Sequence, residues 1–166
     1  MIRRYVISVL VNNTSGVLAK VIGLFSRRGY NISTLSVGET QNHAISRITI
    51  ELMGDEYILE QIKKQLTKLV DVIKVKAIRS KSSVYKELVL VKVAAPPKKR
   101  AGIIELCDIF KTKIVDICNE SLVVELSGTP EKNNALIEML GDYGIIEMSR
   151  TGLTAIERGS NTIQDD

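Results

Sequence analysis

Two short runs carry residue types that could hold a small polar ligand: Asn13-Thr14-Ser15-Gly16-Val17-Leu18 and Arg28-Gly29-Tyr30-Asn31-Ile32. The first follows the apolar, β-branched run Tyr5–Val11, which reads as a strand. It precedes Leu18, Val21, Ile22 and Phe25, which recur at helical spacing. It is therefore a strand-to-helix turn, where Gly16 permits backbone conformations closed to other residues. Free N–H groups at a helix start favour an anion such as a carboxylate. Together the two runs read as a small-ligand cradle made of backbone and two asparagines, Asn13 and Asn31. The competing reading makes Ser15 or Asn13 an ordinary N-cap and nothing more.

Other chemistry is poorly represented. A catalytic set would centre on the single histidine, His43, which sits in a polar stretch with no nucleophile or orienting group nearby. Cys107 and Cys118 form no CxxC pair, so they suit small apolar positions in a reducing compartment better than a metal or disulfide framework. The net charge of +4 raises nucleic acid as a partner, but the basic residues are dispersed and only Lys98-Lys99-Arg100 cluster. Two Phe, five Tyr and no Trp make a poor base-stacking platform. No apolar run approaches the roughly 20 residues of a membrane span or resembles a signal-peptide core, so the expected setting is cytoplasmic, with plastid stroma as the alternative.

The positioning elements repeat. Residues 3–11, 31–38, 44–53 and 72–79 read as strands and 16–28 and 55–69 as helices, giving βαββαβ. Ile48, Ile50 and Leu52 alternate with Arg47, Thr49 and Glu51, while Ile58, Ile62, Leu66 and Leu69 form a helical stripe. After Ser80-Lys81-Ser82-Ser83 the order returns. Leu88–Ala94 is a strand, Ile103, Leu106, Cys107 and Phe110 mark a helix, and Ile114–Cys118 and Leu122–Ser127 are strands. Pro130 opens a further helix and Ile145–Ile156 closes the set as one strand. Ala95–Arg100 reads as a loop before the third helix.

The expected architecture is α+β, two ferredoxin-like modules at 1–79 and 84–158, joined by a linker at 80–83 and followed by a flexible tail at 159–166. Val6 and Leu10 share the second face of the first strand, so neither face is polar and self-association is the simplest remedy.

The first module resembles an ACT domain, and nearly the whole chain is similar to the small regulatory subunits of acetohydroxyacid synthase, also called acetolactate synthase. The most specific pieces are Asn13–Leu18, Gly23–Ile32 and Gln61–Leu66 in the first module. In the second they are Lys113–Ile117 and Ser149-Arg150-Thr151-Gly152. The resemblance implies a chain with no catalytic residues of its own that activates a large subunit and makes it sensitive to valine, or to leucine or isoleucine. Thiamine diphosphate, magnesium and FAD would belong to the large subunit only, and this chain would bind no metal. It implies a homodimer whose effector sites lie between ACT domains, with Asn13, Gly16, Val17 and Leu18 from one copy and Asn31 and Ile32 from the other. A free-standing amino-acid sensor acting on another enzyme or on transcription is the alternative.

Overall fold

The computed structural model describes residues 1–165. The chain forms two compact units, one of residues 1–84 with 153–165 and one of residues 85–152. The first holds β1 (Arg3–Asn12), α1 (Val17–Arg27), β2 (Ile32–Glu39), β3 (Ile45–Gly54), α2 (Glu56–Thr67) and β4 (Val72–Ile78). Its sheet is antiparallel with order β2-β3-β1-β4. Alternation sends Ile7, Val9 and Val11 of β1 and Ile48, Ile50 and Leu52 of β3 to one face, where Val21, Leu24, Phe25, Ile62 and Leu66 of the two helices bury them. Each such fully buried side chain contributes about 1.5–3 kcal/mol.

The second unit repeats this with β5 (Ser83–Ala94), α3 (Pro97–Phe110), β6 (Lys113–Ile117), β7 (Ser121–Gly128), α4 (Pro130–Gly141) and β8 (Ile145–Arg150) in the order β6-β7-β5-β8. Its core is Val89, Val91, Val93, Leu122, Val124 and Leu126 under Ile103, Cys107, Leu136 and Leu140. The expected α+β architecture of two βαββαβ modules is thus the one observed.

Three features differ from the sequence reading. Helix α3 starts at Pro97, so Lys98, Lys99 and Arg100 lie in its first turn, not in a loop. Proline at that position is compatible with a helix start because its missing N–H would have been unpaired anyway. There Arg100 Nη2 donates to the carbonyls of Ala95, Cys118 and Asn119 at 3.0, 2.7 and 2.9 Å, tying the helix start to the β6–β7 turn. The final strand is broken: Gly152, at φ +85°, ends β8, and a separate β9 (Thr154–Glu157) follows. β9 pairs with β5, whose first residues belong to the first unit.

The third difference is the path of residues 153–165, which act as a strap on the second face of the first sheet. Ser36 Oγ donates to Leu153 O at 2.5 Å and Arg47 Nη2 to Ala155 O at 2.8 Å. Lys76 Nζ donates to the carbonyls of Thr162 and Asp165, both at 3.0 Å, and lies 2.7 Å from Glu157 Oε2. Ser36, Arg47 and Lys76 project on the same side as Ser8 and Leu10, following the register Ser8↔Thr49, Leu10↔Arg47 and Ser8↔Lys76. The apolar residues of that face therefore receive cover from the chain's own later residues, Ile163 among them, which is buried. Thr49 and Glu51, read as the outward partners of Ile48 and Ile50, are buried as well, Glu51 pairing with Arg4 Nε at 2.9 Å and accepting from Thr34 Oγ1 at 3.0 Å.

Candidate functional site

The turn between β1 and α1 is built by backbone bonds. Asn13 N donates to Ala44 O at 2.8 Å, Thr14 N to Asn12 O at 2.9 Å, and Lys20 N to Gly16 O at 3.1 Å as the first bond of the helix. Gly16 is the N-cap at φ +86°, and no side chain caps α1. A Cβ at Gly16 would meet nothing within 4 Å, so the residue is required for its left-handed backbone and not for lack of room. The N-cap reading of Ser15 or Asn13 is thus excluded. Val17 N donates to Thr14 O at 3.4 Å, and the first turn of α1 holds no acidic residue to neutralise the N–H groups that follow.

Asn13 is held from the other side. Its Nδ2 donates to Glu39 Oε1 at 3.1 Å and to His43 O at 2.9 Å. With both amide protons engaged, Oδ1 is left as an acceptor beside the helix start. Glu39 also pairs with His43 Nδ1 through Oε2 at 2.7 Å, so the only histidine braces a loop instead of serving a nucleophile. Sequence reasoning missed Glu39, whose carboxylate stands 26 residues from Asn13. Its signal was its place at the end of a strand facing the turn, which only the β2–β3 register reveals.

The structure divides the six candidate residues into two groups. Asn13, Gly16 and Leu18 lie exposed at the N-terminal end of α1, and Val17 is 3% exposed and part of the core. The side chain of Val17 is thereby committed to packing, and its N–H is engaged by Thr14 O at 3.4 Å. Asn31, exposed, and Ile32, half-buried, follow the opposite end of α1, past Gly29 at φ +67°. Nine helical residues, Ala19–Arg27, separate the groups, about 14 Å at 1.5 Å per residue. A single copy cannot close both groups on one small ligand.

The thiols have different settings. Burial pushes the Cys107 thiol up from its ordinary value, whereas hydrogen bonds from Ser121 and the neighbouring backbone hold exposed Cys118 below it. Among the described residues, no three His, Cys, Asp or Glu side chains are grouped as metal ligands, and no helix is long and apolar enough to cross a membrane.

Comparison with known proteins gives a consistent set of likenesses. Residues 7–74 match the family described as an AHAS small subunit-like ACT domain, and residues 86–159 the family described as the small subunit of acetolactate synthase. The chain is 48% identical to the probable acetolactate synthase small subunit of Archaeoglobus fulgidus, covering 95% of this chain and 98% of that one. It is 46% identical to the acetolactate synthase small subunit of Mycolicibacterium smegmatis, over 96% and 94% of the two chains. The crystal structure of the small subunit from Thermotoga maritima superposes with a TM-score of 0.88 at 38% identity, covering 96% of this chain and 99% of that one. With both modules matched and the relatives aligned nearly end to end, the chain belongs to the family of acetolactate synthase small subunits, regulatory chains that carry an ACT domain.

Proposed function

We propose that this chain activates a separate thiamine-diphosphate-dependent large subunit and confers feedback inhibition by valine, with leucine or isoleucine as alternative effectors. It has no turnover of its own in this reading; thiamine diphosphate, magnesium and FAD reside on the large subunit. The observation that carries the proposal is the start of α1. Past Gly16 the N–H groups of Leu18 and Ala19 can meet a carboxylate, that of Val17 being engaged by Thr14 O, and Asn13 presents Oδ1 to an ammonium group with Glu39 adding negative charge behind it. Leu18, 39% exposed, is available to an aliphatic side chain.

Asn31 and Ile32 of a second copy complete the pocket, because the helix length separates them from Gly16 in the same copy. A site divided between two copies changes their relative placement as it closes, which gives the effector the unequal affinity for two states that inhibition requires. A dissociation constant of about 10 μM to 1 mM, or roughly −7 to −4 kcal/mol, would set the switch in the range of free amino acids.

The test is acetolactate formation by the cognate large subunit, with and without this chain, across a valine titration. Stimulation that valine reverses is the expected result. Stimulation insensitive to valine, leucine and isoleucine would remove the effector assignment, and no stimulation would leave a sensor for some other enzyme.

A further inference from the structure

The strap does not lie flat on the first sheet. Between its turn at 161–164 and the β2–β3 turn at 40–42 it leaves a cleft of about 420 Å³, entirely within the first unit. At roughly 30 Å³ per water this space would take about fourteen waters, so it suits a small organic molecule better than a lone ion. Its apolar walls are Leu10, Ile45, Ile156 and Ile163. Its rim carries neutral hydrogen-bonding groups, Thr40 and Asn42 from the β2–β3 turn and Asn161 and Thr162 from the strap.

The ionised groups in its lining are Arg47 and Glu157. Behind Glu157 stands Lys76 at 2.7 Å, with the two side chains only 18% and 14% exposed. Lys76 and Glu157 thus neutralise each other in a half-buried setting where charge is weakly screened, Asp165 adds a second negative charge near Lys76, and Arg47 is left as the cation of the cleft lining. Arg47 spends one bond on Ala155 O, and among the described residues its buried Nε has no hydrogen-bond partner. An anion with an aliphatic body fits both features, since the carboxylate supplies the missing charge and the body covers the four apolar side chains.

We infer that this cleft is a second small-molecule site, separate from the start of α1, which takes an aliphatic carboxylate about the size of a branched-chain amino acid. The two sites share one piece of backbone. The turn that lines the cleft through Thr40, Gln41 and Asn42 continues into His43 and Ala44, whose carbonyls bind Asn13. Filling the cleft braces that turn from the strap side and fixes the partners that orient Asn13. The cleft ligand would thus tune the first site without touching it.

The experiment is a titration of the full isotope-labelled chain, followed by its amide resonances, with 3-methylbutanoate and with its neutral amide as the charge-free control. The expected result is saturable movement of resonances from 40–47 and 156–164 with a dissociation constant of about 1 mM, and at least tenfold weaker binding of the neutral amide. Arg47→Gln should weaken the acid at least tenfold. Because Arg47 also holds the strap, Asn161→Trp, at an exposed cleft position, provides a second variant that blocks binding by volume. Gly16→Val should leave the cleft titration unchanged. No saturable movement up to about 50 mM, equal binding of acid and amide, or movement confined to 13–18 and lost in Gly16→Val would overturn the proposal. None of these readouts depends on a large subunit or on valine, so the cleft and the proposed function can fail separately.

Discussion

The two modules solve the same turn in opposite ways. In the first unit, β1 passes into α1 through Gly16, left-handed and without a side-chain cap. In the second, β5 passes into α3 through Pro96 as N-cap and Pro97 in the first turn. Proline removes an N–H that glycine would leave free, and Arg100 brings a cation to the same helix start, where it is spent on carbonyls. One fold, repeated in one chain, thus carries a helix start open to an anion and another closed to it. The difference shows that one ferredoxin-like scaffold carries two chemically unlike helix starts, and that a few residues in one turn set which kind each is.

The largest test of this comparison concerns the scaffold that both units share. Leu52→Ala in the first core and Leu126→Ala in the second each remove a fully buried side chain and should cost about 2–5 kcal/mol by denaturant titration. Values that differ strongly would show that one core collapses around the cavity and the other does not.

Next comes the turn. Gly16→Val forces a β-branched side chain into left-handed backbone and should cost about 1–2 kcal/mol while reducing effector affinity at least tenfold by calorimetry. Pro97→Ala in the second unit should change stability by under about 1 kcal/mol and leave effector binding untouched. A tolerant Gly16 would break the contrast.

Caps sharpen it further. Asp55 accepts from Ile58 N at 2.9 Å and caps α2, and Thr129 accepts from Lys132 N and caps α4. Alanine at either should cost about 1 kcal/mol in thermal or denaturant unfolding. Asn13→Ala, which removes no cap, should instead weaken effector binding with the helix intact by circular dichroism. A gain is expected at Lys111, the one non-glycine residue at positive φ among those described, which ends α3 at φ 57°. Lys111→Gly should stabilise the second unit by up to about 1 kcal/mol.

The smallest effect is set by pH. The hydrogen bond from Lys20 holds the Asp71 carboxyl below its ordinary 3.8. A carboxylate whose folded pKa is lowered contributes stability above its unfolded pKa and loses it as pH falls through the folded value. Asp71→Asn should therefore matter slightly at neutral pH and not at all once the wild-type group is protonated below the folded pKa. A double-mutant comparison with Lys20→Met checks it, and a pH-independent difference would assign the effect to something other than this ion pair.

Most of the fold was legible because its signals are local. Period-two alternation in 45–53 and the helical stripe Ile62, Leu66 each depend on residues a few positions apart. The αL turn at Gly16 was legible too, since glycine between a strand and a helix pattern has few other uses. What escaped depends on distant partners. Nothing around Lys76 signals that its ammonium will be shared among Glu157, Thr162 and Asp165, and Glu39 looks like any strand-end carboxylate until Asn13 is beside it. The loop reading of Lys98–Arg100 failed for a different reason: Pro97 opens the helix, because the N–H it lacks would have been unpaired there anyway.

The strap also dictates when the first unit can finish folding. Its bonds to the sheet join residues 117, 108 and 86 positions apart, spanning the whole of the second unit in sequence. On a ribosome the strands and helices of the first module, which end at Ile78, emerge before residues 153–165 exist. Until then Leu10 and its neighbours on the uncovered face stay wet, an apolar surface open to chaperones and to other nascent chains. The module that begins first is the one that ends last.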